Sequence, residues 1–353
     1  MGSVHMPPKK PPAMVTLPGW PTVPFPTGPN RSELPWKSGV SPGTGKGSVA
    51  LSNMAGFGAW RGRPVDVGVI FIGNNSWSVS YEAYLTNEVL QPNGAVAAML
   101  NNGIYPVMTV PLVTKADAGK FSMVATGGID AQHTAIAKKI ASVTQGRPIY
   151  LRLGHEADEG YPWSYTGNDG AEDPADPATY RAAWGRIATI YHNNVPGAIM
   201  VWNVLKNTRL RPVDYYPGDG VVDVLSIDIY DNGSGGYCDS PTGAAWTKMC
   251  YGAFNAAAGT SKGANGWLQF AKSHGKKVAF DEWGATNDDL AAGNGANNSW
   301  FVTGMFNFFA ANYQDIEYES YYNRAGGGRH QIWPKTSYNP LPSDAYLNAY
   351  RPH

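Results

Sequence analysis

The chain of 353 residues is long enough for one large domain or two small ones, and for a sizeable core. Lys and Arg number 27 and Asp and Glu 27, so a formal net charge of zero supplies no long-range attraction to nucleic acid or to an anionic membrane. Charged residues are only 15% of the chain, against about 25% in ordinary soluble domains, while aromatic residues reach 12%. Amides, hydroxyls and flat rings with polar tips must therefore make up much of the surface, a bias toward polyhydroxylated, ring-shaped ligands such as sugars.

In chain order, Met1–Met6 reads as a cloning scar. Residues 7–47 are dense in Pro, Gly, Ser and Thr and lack apolar periodicity, which predicts a linker or an extended strap and not a second core. Over 48–353, short apolar or β-branched runs alternate with longer amphipathic stretches. Val65–Gly73, Ile104–Val113, Ile149–Gly154, Ile199–Leu205, Val221–Tyr230, Lys277–Gly284 and Ile316–Tyr322 are expected strands, with an eighth concealed. Gly128–Thr144 and Pro177–Asn193 are expected helices, the second opened by Asp176 as N-cap and Pro177 in its first turn. Such alternation fits a parallel sheet, either an eight-stranded βα barrel or an open doubly wound sheet. No G-x-G-x-x-G follows the first run, and Gly43-Thr44-Gly45-Lys46-Gly47 lacks phosphate-loop spacing, so a single (β/α)8 TIM barrel is the expected fold.

Cys238 and Cys250 share a Gly-, Ser- and Pro-containing stretch without a His at zinc-ligand spacing, and a loop-closing disulfide is expected of them, with free thiols as the alternative. A bridge places the protein in an oxidising, extracytoplasmic compartment, with secretion the expectation. No run of about 18 apolar residues suggests a membrane span.

In a βα barrel the active site is built from the C-terminal ends of the strands, so the polar residues that end the apolar runs carry the information. Ile149–Gly154 leads into His155-Glu156, and Lys277–Phe280 leads into Asp281-Glu282-Trp283. Acetal hydrolysis needs a proton for the leaving oxygen and a group that captures an oxocarbenium-like centre, and two carboxyl groups of unequal pKa do both. Taken singly, a glutamate at a strand end is more often the structural partner of an arginine; two at one face, each with Trp nearby, favour chemistry. His155-Glu156 lacks the second His of a helical zinc motif, and no G-x-S-x-G elbow is present, so neither a metal site nor an acyl-transfer serine is expected. No cofactor is expected either.

Arg152-Leu153-Gly154-His155-Glu156, Gly160-Tyr161-Pro162-Trp163, Tyr180-Arg181, Val201-Trp202-Asn203 and the stretch from Tyr215-Tyr216-Pro217-Gly218-Asp219 to Asp228-Ile229-Tyr230 together resemble glycoside hydrolase family 26. The resemblance covers about residues 55–335 and is strongest in 147–231. It implies a retaining barrel enzyme with Glu156 as acid/base on the fourth strand and Glu282 as nucleophile on the seventh. By the same resemblance Tyr230 bonds the nucleophile, His155 orients groups beside Glu156, and Arg152 sits beneath the site. Trp163, Trp202 and Trp283 are expected as sugar-stacking platforms, with core packing as the alternative. Asn203 and Asp228 either bind sugar hydroxyls or brace strand ends. Mannan-cleaving members follow His-Glu with Met-Asn-Gly and a Trp-rich string, whereas Ala157-Asp158-Glu159 stands here, which points away from plain β-mannan and leaves an exopolysaccharide, a xylan or a mixed-linkage glucan open.

The expected protein is therefore a monomeric, retaining, endo-acting glycoside hydrolase that takes a polysaccharide or oligosaccharide. A noncatalytic carbohydrate-binding barrel, or a transglycosylase using the same site, is the alternative.

Overall fold

Each apolar run forms one strand of a closed parallel barrel. In the computed structural model, which describes residues 14–15, 23–24, 28–43, 46–73, 76–77, 88–167, 174–206, 210–231, 250–287, 297–326 and 329–352, the strands are β1 (Lys37–Val40), β2 (Val67–Ile70), β3 (Tyr105–Val110), β4 (Ile149–Leu153), β5 (Ala198–Leu205), β6 (Val224–Tyr230), β7 (Lys277–Gly284) and β8 (Ile316–Tyr321). They pair in sequence order and close through β8 against β1. The (β/α)8 expectation holds.

The boundary drawn at residue 48 is corrected: β1 lies inside the stretch read as a strap. Lys37-Ser38-Gly39-Val40 carries a single branched apolar side chain, too little to register as a run, and Gly39 stands there because a Cβ would meet Val67 O at 2.0 Å. Trp36 anchors the strand, buried against Phe306 and Phe309.

Outside the strands lie α1 (Gly47–Arg61), α2 (Ala95–Asn101), α3 (Asp130–Thr144), α4 (Pro177–Asn194), α5 (Gly263–Ser273), α6 (Ser299–Ala311) and α7 (Pro340–Tyr350). The expected start of α4 is present: Asp176 accepts from Thr179 N at 2.8 Å, with proline in the first turn.

The barrel interior changes character along the strand axis. A lower apolar layer contains Val67, Val69, Val107, Tyr150, Val201, Val224, Ala279 and Tyr318. Two residues further along β4, β5, β6 and β7 the same inward positions hold Arg152, Asn203, Ser226 and Asp281, all buried. The sequence thus seals the bottom of the barrel with hydrocarbon and builds a polar floor directly under the C-terminal face.

Candidate active site

Arg152 organises this floor. Its guanidinium is fully buried and meets Glu282 Oε1 at 2.6 Å, Asp281 Oδ2 at 3.0 Å, Asn203 Oδ1 at 2.8 Å and the Asp228 carboxylate. Burying a charge costs several kcal/mol unless it is paired and hydrogen-bonded, and here three carboxylates from two strands surround one cation. Ser226 and Tyr318 hydroxyls both donate to Asp281. Asn203 Nδ2 donates to Ser226 Oγ at 2.8 Å and to Asp228 Oδ1 at 3.0 Å.

Strict alternation would send Asp281 and Glu282 to opposite faces of β7. The pairing with β6 shifts register between Phe280 and Glu282, and this bulge turns both carboxylates toward Arg152. Tyr230, at the end of β6, donates its hydroxyl to Glu282 Oε2 at 2.6 Å. Burial alone would raise the pKa of Glu282, but Arg152 and these hydrogen bonds hold it below the ordinary glutamate value.

Glu156 reaches the same point from the end of β4. Gly154 turns the chain at φ 61°, where a Cβ would press on Trp163 at 3.1 Å, and Glu156 itself sits at φ 45°, in the left-handed region that side chains avoid. Asn203 Oδ1 accepts the Glu156 backbone N–H at 2.6 Å and fixes this turn. Burial first, then the charge of Glu282, pushes the Glu156 carboxyl up to about 8, with Arg152 opposing and Asp158 adding to the rise. One carboxylate oxygen from each of Glu156, Asp228 and Glu282 lies within 4.8 Å of the others. Asp228 is buried and its pKa is also raised, by burial against the opposing pull of Arg152.

The other expected site residues fall into two groups. His155, Asn203 and Asp228 are buried beside the glutamates, and the hydrogen bonds of Asn203 and Asp228 brace the floor. His155 packs its ring at a tilt against both Tyr161 and Trp163, and burial followed by Arg152 lowers its pKa to about 3, so it is neutral.

The expectation of stacking platforms at Trp163, Trp202 and Trp283 is corrected. Their relative exposures are 1%, 0% and 0%, which leaves no ring face for a sugar. Trp163 lies under Tyr161, whose ring stacks on it at 5.1 Å and 5°, and donates Nε1–H to His155 O. Trp202 points outward from β5 against Tyr216 and Trp267. Trp283 points outward from β7, bonds Glu319 and packs on Phe309 and Tyr321.

Among the described residues, the partly exposed rings around the glutamates include Tyr230, Phe71, Tyr161 and Tyr322. Phe71 contacts His155 and Tyr322, and Tyr322 contacts Tyr230. Phe71 and Tyr322 lie at the ends of runs already read as strands, so the signal that exposed the glutamates also marked these rings. Asp158 is buried and accepts Leu205 N–H at 2.8 Å, while Glu159 is exposed.

Cys250 is buried, and Cys238 lies outside the described residues. No helix among the described residues is long and apolar enough to cross a membrane.

Two glutamates of opposite pKa displacement at the C-terminal mouth of a parallel barrel define the class of site found in carbohydrate-active barrels. The profile of glycosyl hydrolase family 26 matches residues 102–304, more than half of the chain, and the protein belongs to that family. A mannan endo-1,4-β-mannosidase of Thermothelomyces thermophilus is 38% identical over 104 residues, 29% of this chain and 19% of that protein, so the match spans about a fifth of the relative's length. The YdhT protein of Bacillus subtilis superposes with a TM-score of 0.56 at 14% identity, covering 88% of this chain and 85% of that one. A family 26 protein of Muricauda sp. gives 0.54 at 16% identity, covering 84% of each chain. A modular endo-β-1,4-mannanase of Cellulomonas fimi gives 0.51 at 17% identity, covering 83% of this chain and 64% of that one. At these identities the structural likenesses speak for the fold.

Proposed function

We propose that the protein is an endo-acting, retaining glycoside hydrolase that works by double displacement, with Glu156 as acid/base and Glu282 as nucleophile. The observation that carries this reading is the approach of Glu156 and Glu282 carboxylate oxygens to within 4.8 Å, with one pKa pushed up and the other down. Retaining pairs stand about 5–5.5 Å apart, and the wider 6.5–9.5 Å gap of inverting pairs leaves room for a water.

In the first step Glu156, still protonated at neutral pH, gives its proton to the leaving glycosidic oxygen while Glu282 attacks the anomeric carbon. Arg152 and Tyr230 each hold one Glu282 oxygen, which keeps the carboxylate ionised and aimed. Esterification then removes the Glu282 charge. That charge is one of the causes raising the Glu156 pKa, so the pKa falls as the intermediate forms and Glu156, having given up its proton, stays ionised and able to accept one. It takes a proton from water, the water attacks the anomeric carbon, and Glu282 departs as carboxylate.

The names of the relatives make β-1,4-mannan the first backbone to try, although the loop after Glu156 is unlike that of the mannan-cleaving pattern. A disulfide between Cys238 and Cys250, and secretion with it, belong to the same reading. The test is a panel of mannan, xylan, mixed-linkage glucan and bacterial exopolysaccharides, with mass-spectrometric products and early-time NMR of the new reducing end. Internal cleavage with retained anomeric configuration is expected. Inverted products, or binding without cleavage of any substrate including activated aryl glycosides, contradict it.

A further inference from the structure

Between the ends of β1 and β8, against α1, the C-terminal face holds a cleft of about 380 Å³. It begins one residue beyond Tyr322, whose ring packs on Tyr230, the residue that donates to Glu282, so the cleft lies on the same side of the barrel mouth as the catalytic carboxylates. Its lining mixes amides, a hydroxyl and rings with Val40, Pro42, Ala325 and Pro334, and among the described residues it contains a single charged group, Arg324. That guanidinium lies over the Tyr322 ring at 5.8 Å and hydrogen-bonds Tyr322. No carboxylate faces it among the described residues lining the cleft.

Two further features set the cleft apart from ordinary surface. Ser41, 6% exposed, contributes to the lining, and its buried Oγ has no hydrogen-bond partner. Trp333 offers a partly exposed indole, seated on α1 where Gly56 leaves room: a Cβ at that position would meet the ring at 2.4 Å. Asn323, by contrast, is spent on the loop, accepting from Ile332 N and Trp333 N and donating to Trp333 O.

The geometry points to a subsite for one acidic sugar: we propose that a hexuronate residue within an otherwise neutral chain sits in this cleft, its carboxylate on Arg324 and its ring against Trp333. The inference rests on the glycosidase reading of the two glutamates and names the substrate class of that site. One cation suits one carboxylate, as the zero net charge also implies, because a polyanion would need several. The arginine fork matches a carboxylate in planar, two-point geometry. The position is also the sensible one, since at the reacting sugar an ionised Glu282 would repel a second carboxylate.

The probes are mannohexaose and cellohexaose, each compared with its singly carboxylated form made by selective C6 oxidation and purified by anion exchange. Binding is measured by calorimetry on the Glu282→Gln protein, which removes turnover, with and without Arg324→Gln or Arg324→Lys. One carboxylated hexamer is expected to bind about tenfold tighter than its neutral parent, as a charge-assisted pair implies. Arg324→Gln removes that preference, and Arg324→Lys keeps part of it. In the protein with Arg324 intact, added salt weakens only the carboxylated ligand, a readout that needs no folded Arg324 variant. Equal binding of both members of each pair, no binding by any carboxylated hexamer, or a preference that survives Arg324→Gln overturns the inference. Turnover of an activated aryl glycoside by the wild-type protein, run in parallel, reports separately on the glycosidase reading.

Discussion

The inner and outer faces of the same barrel strands are equally buried and built on opposite rules. Inside β4 to β7, Arg152, Asn203, Asp228, Asp281 and Glu282 hold one another through charges and hydrogen bonds. Outside β5 and β7, Trp202 and Trp283 are held by rings. Removing one partner from the inner network strands an uncompensated charge, whereas the outer face sums many small dispersion contacts. Chemistry and stability are thereby separated across the thickness of one strand, most sharply at Glu282 and Trp283, which are neighbours in sequence and face opposite ways.

The largest effect should come from testing that pair directly. Glu282→Gln is expected to lower turnover on every substrate, activated aryl glycosides included, by roughly four orders of magnitude or more, with the circular dichroism of the folded protein retained. Trp283→Ala should do the reverse, losing about 3–5 kcal/mol of unfolding free energy through the cavity it leaves while activity per folded molecule stays near normal. Activity that collapses at position 283 with stability intact would break the comparison and return that indole to the substrate path.

A third kind of bond is expected beyond both faces, in the stretch after β6. A Cys238–Cys250 bridge is expected to contribute about 3 kcal/mol in the chain-entropy account. Intact-mass analysis after alkylation without reductant checks it: an unmodified protein supports the bridge, and two alkylated thiols remove it along with the argument for an oxidising compartment.

Smaller effects follow from titration. The alkaline limb of kcat/KM should fall near pH 8 as Glu156 loses its proton, and the acid limb should lie below the ordinary glutamate value because Arg152 holds Glu282 ionised. Stability carries the same signature. The Glu156 carboxyl rises from 4.5 to about 8 on folding, so the stability it contributes is complete below the lower value and is lost as pH rises toward the upper one. Glu156→Gln should therefore gain in melting temperature over the wild type between those two values and gain no more above them. A difference independent of pH would mean that Glu156 is ordinary in the folded protein.

Much of this was legible in the sequence, and the exceptions have physical causes. Seven strands announced themselves because a barrel strand buried on both faces must be almost continuously apolar. β1 did not, because Gly39 replaces a side chain with backbone contact to Val67. Glu156 and Glu282 were legible as polar ends of apolar runs. Trp202 was readable in principle, since an inward Asn203 puts its neighbour outside. Trp283 was not, because unbroken alternation from inward Ala279 would have placed it inside with Asp281, and only the bulge at Asp281 and Glu282 reverses it. Trp163 was a half-miss: its loop does bring a ring to the site, but Tyr161 covers the indole.

The central claim, that Glu156 and Glu282 divide the work of one retaining site, is tested most directly by azide rescue of Glu156→Ala on an activated aryl glycoside. Such a leaving group needs no proton, so Glu282 still forms the glycosyl-enzyme, and azide, which needs no general base, attacks the anomeric carbon and releases the Glu282 carboxylate. The account predicts a rate restored by azide and a glycosyl azide with the anomeric configuration of the substrate. An inverted azide, or a variant equally inactive on all substrates and indifferent to azide, would contradict it.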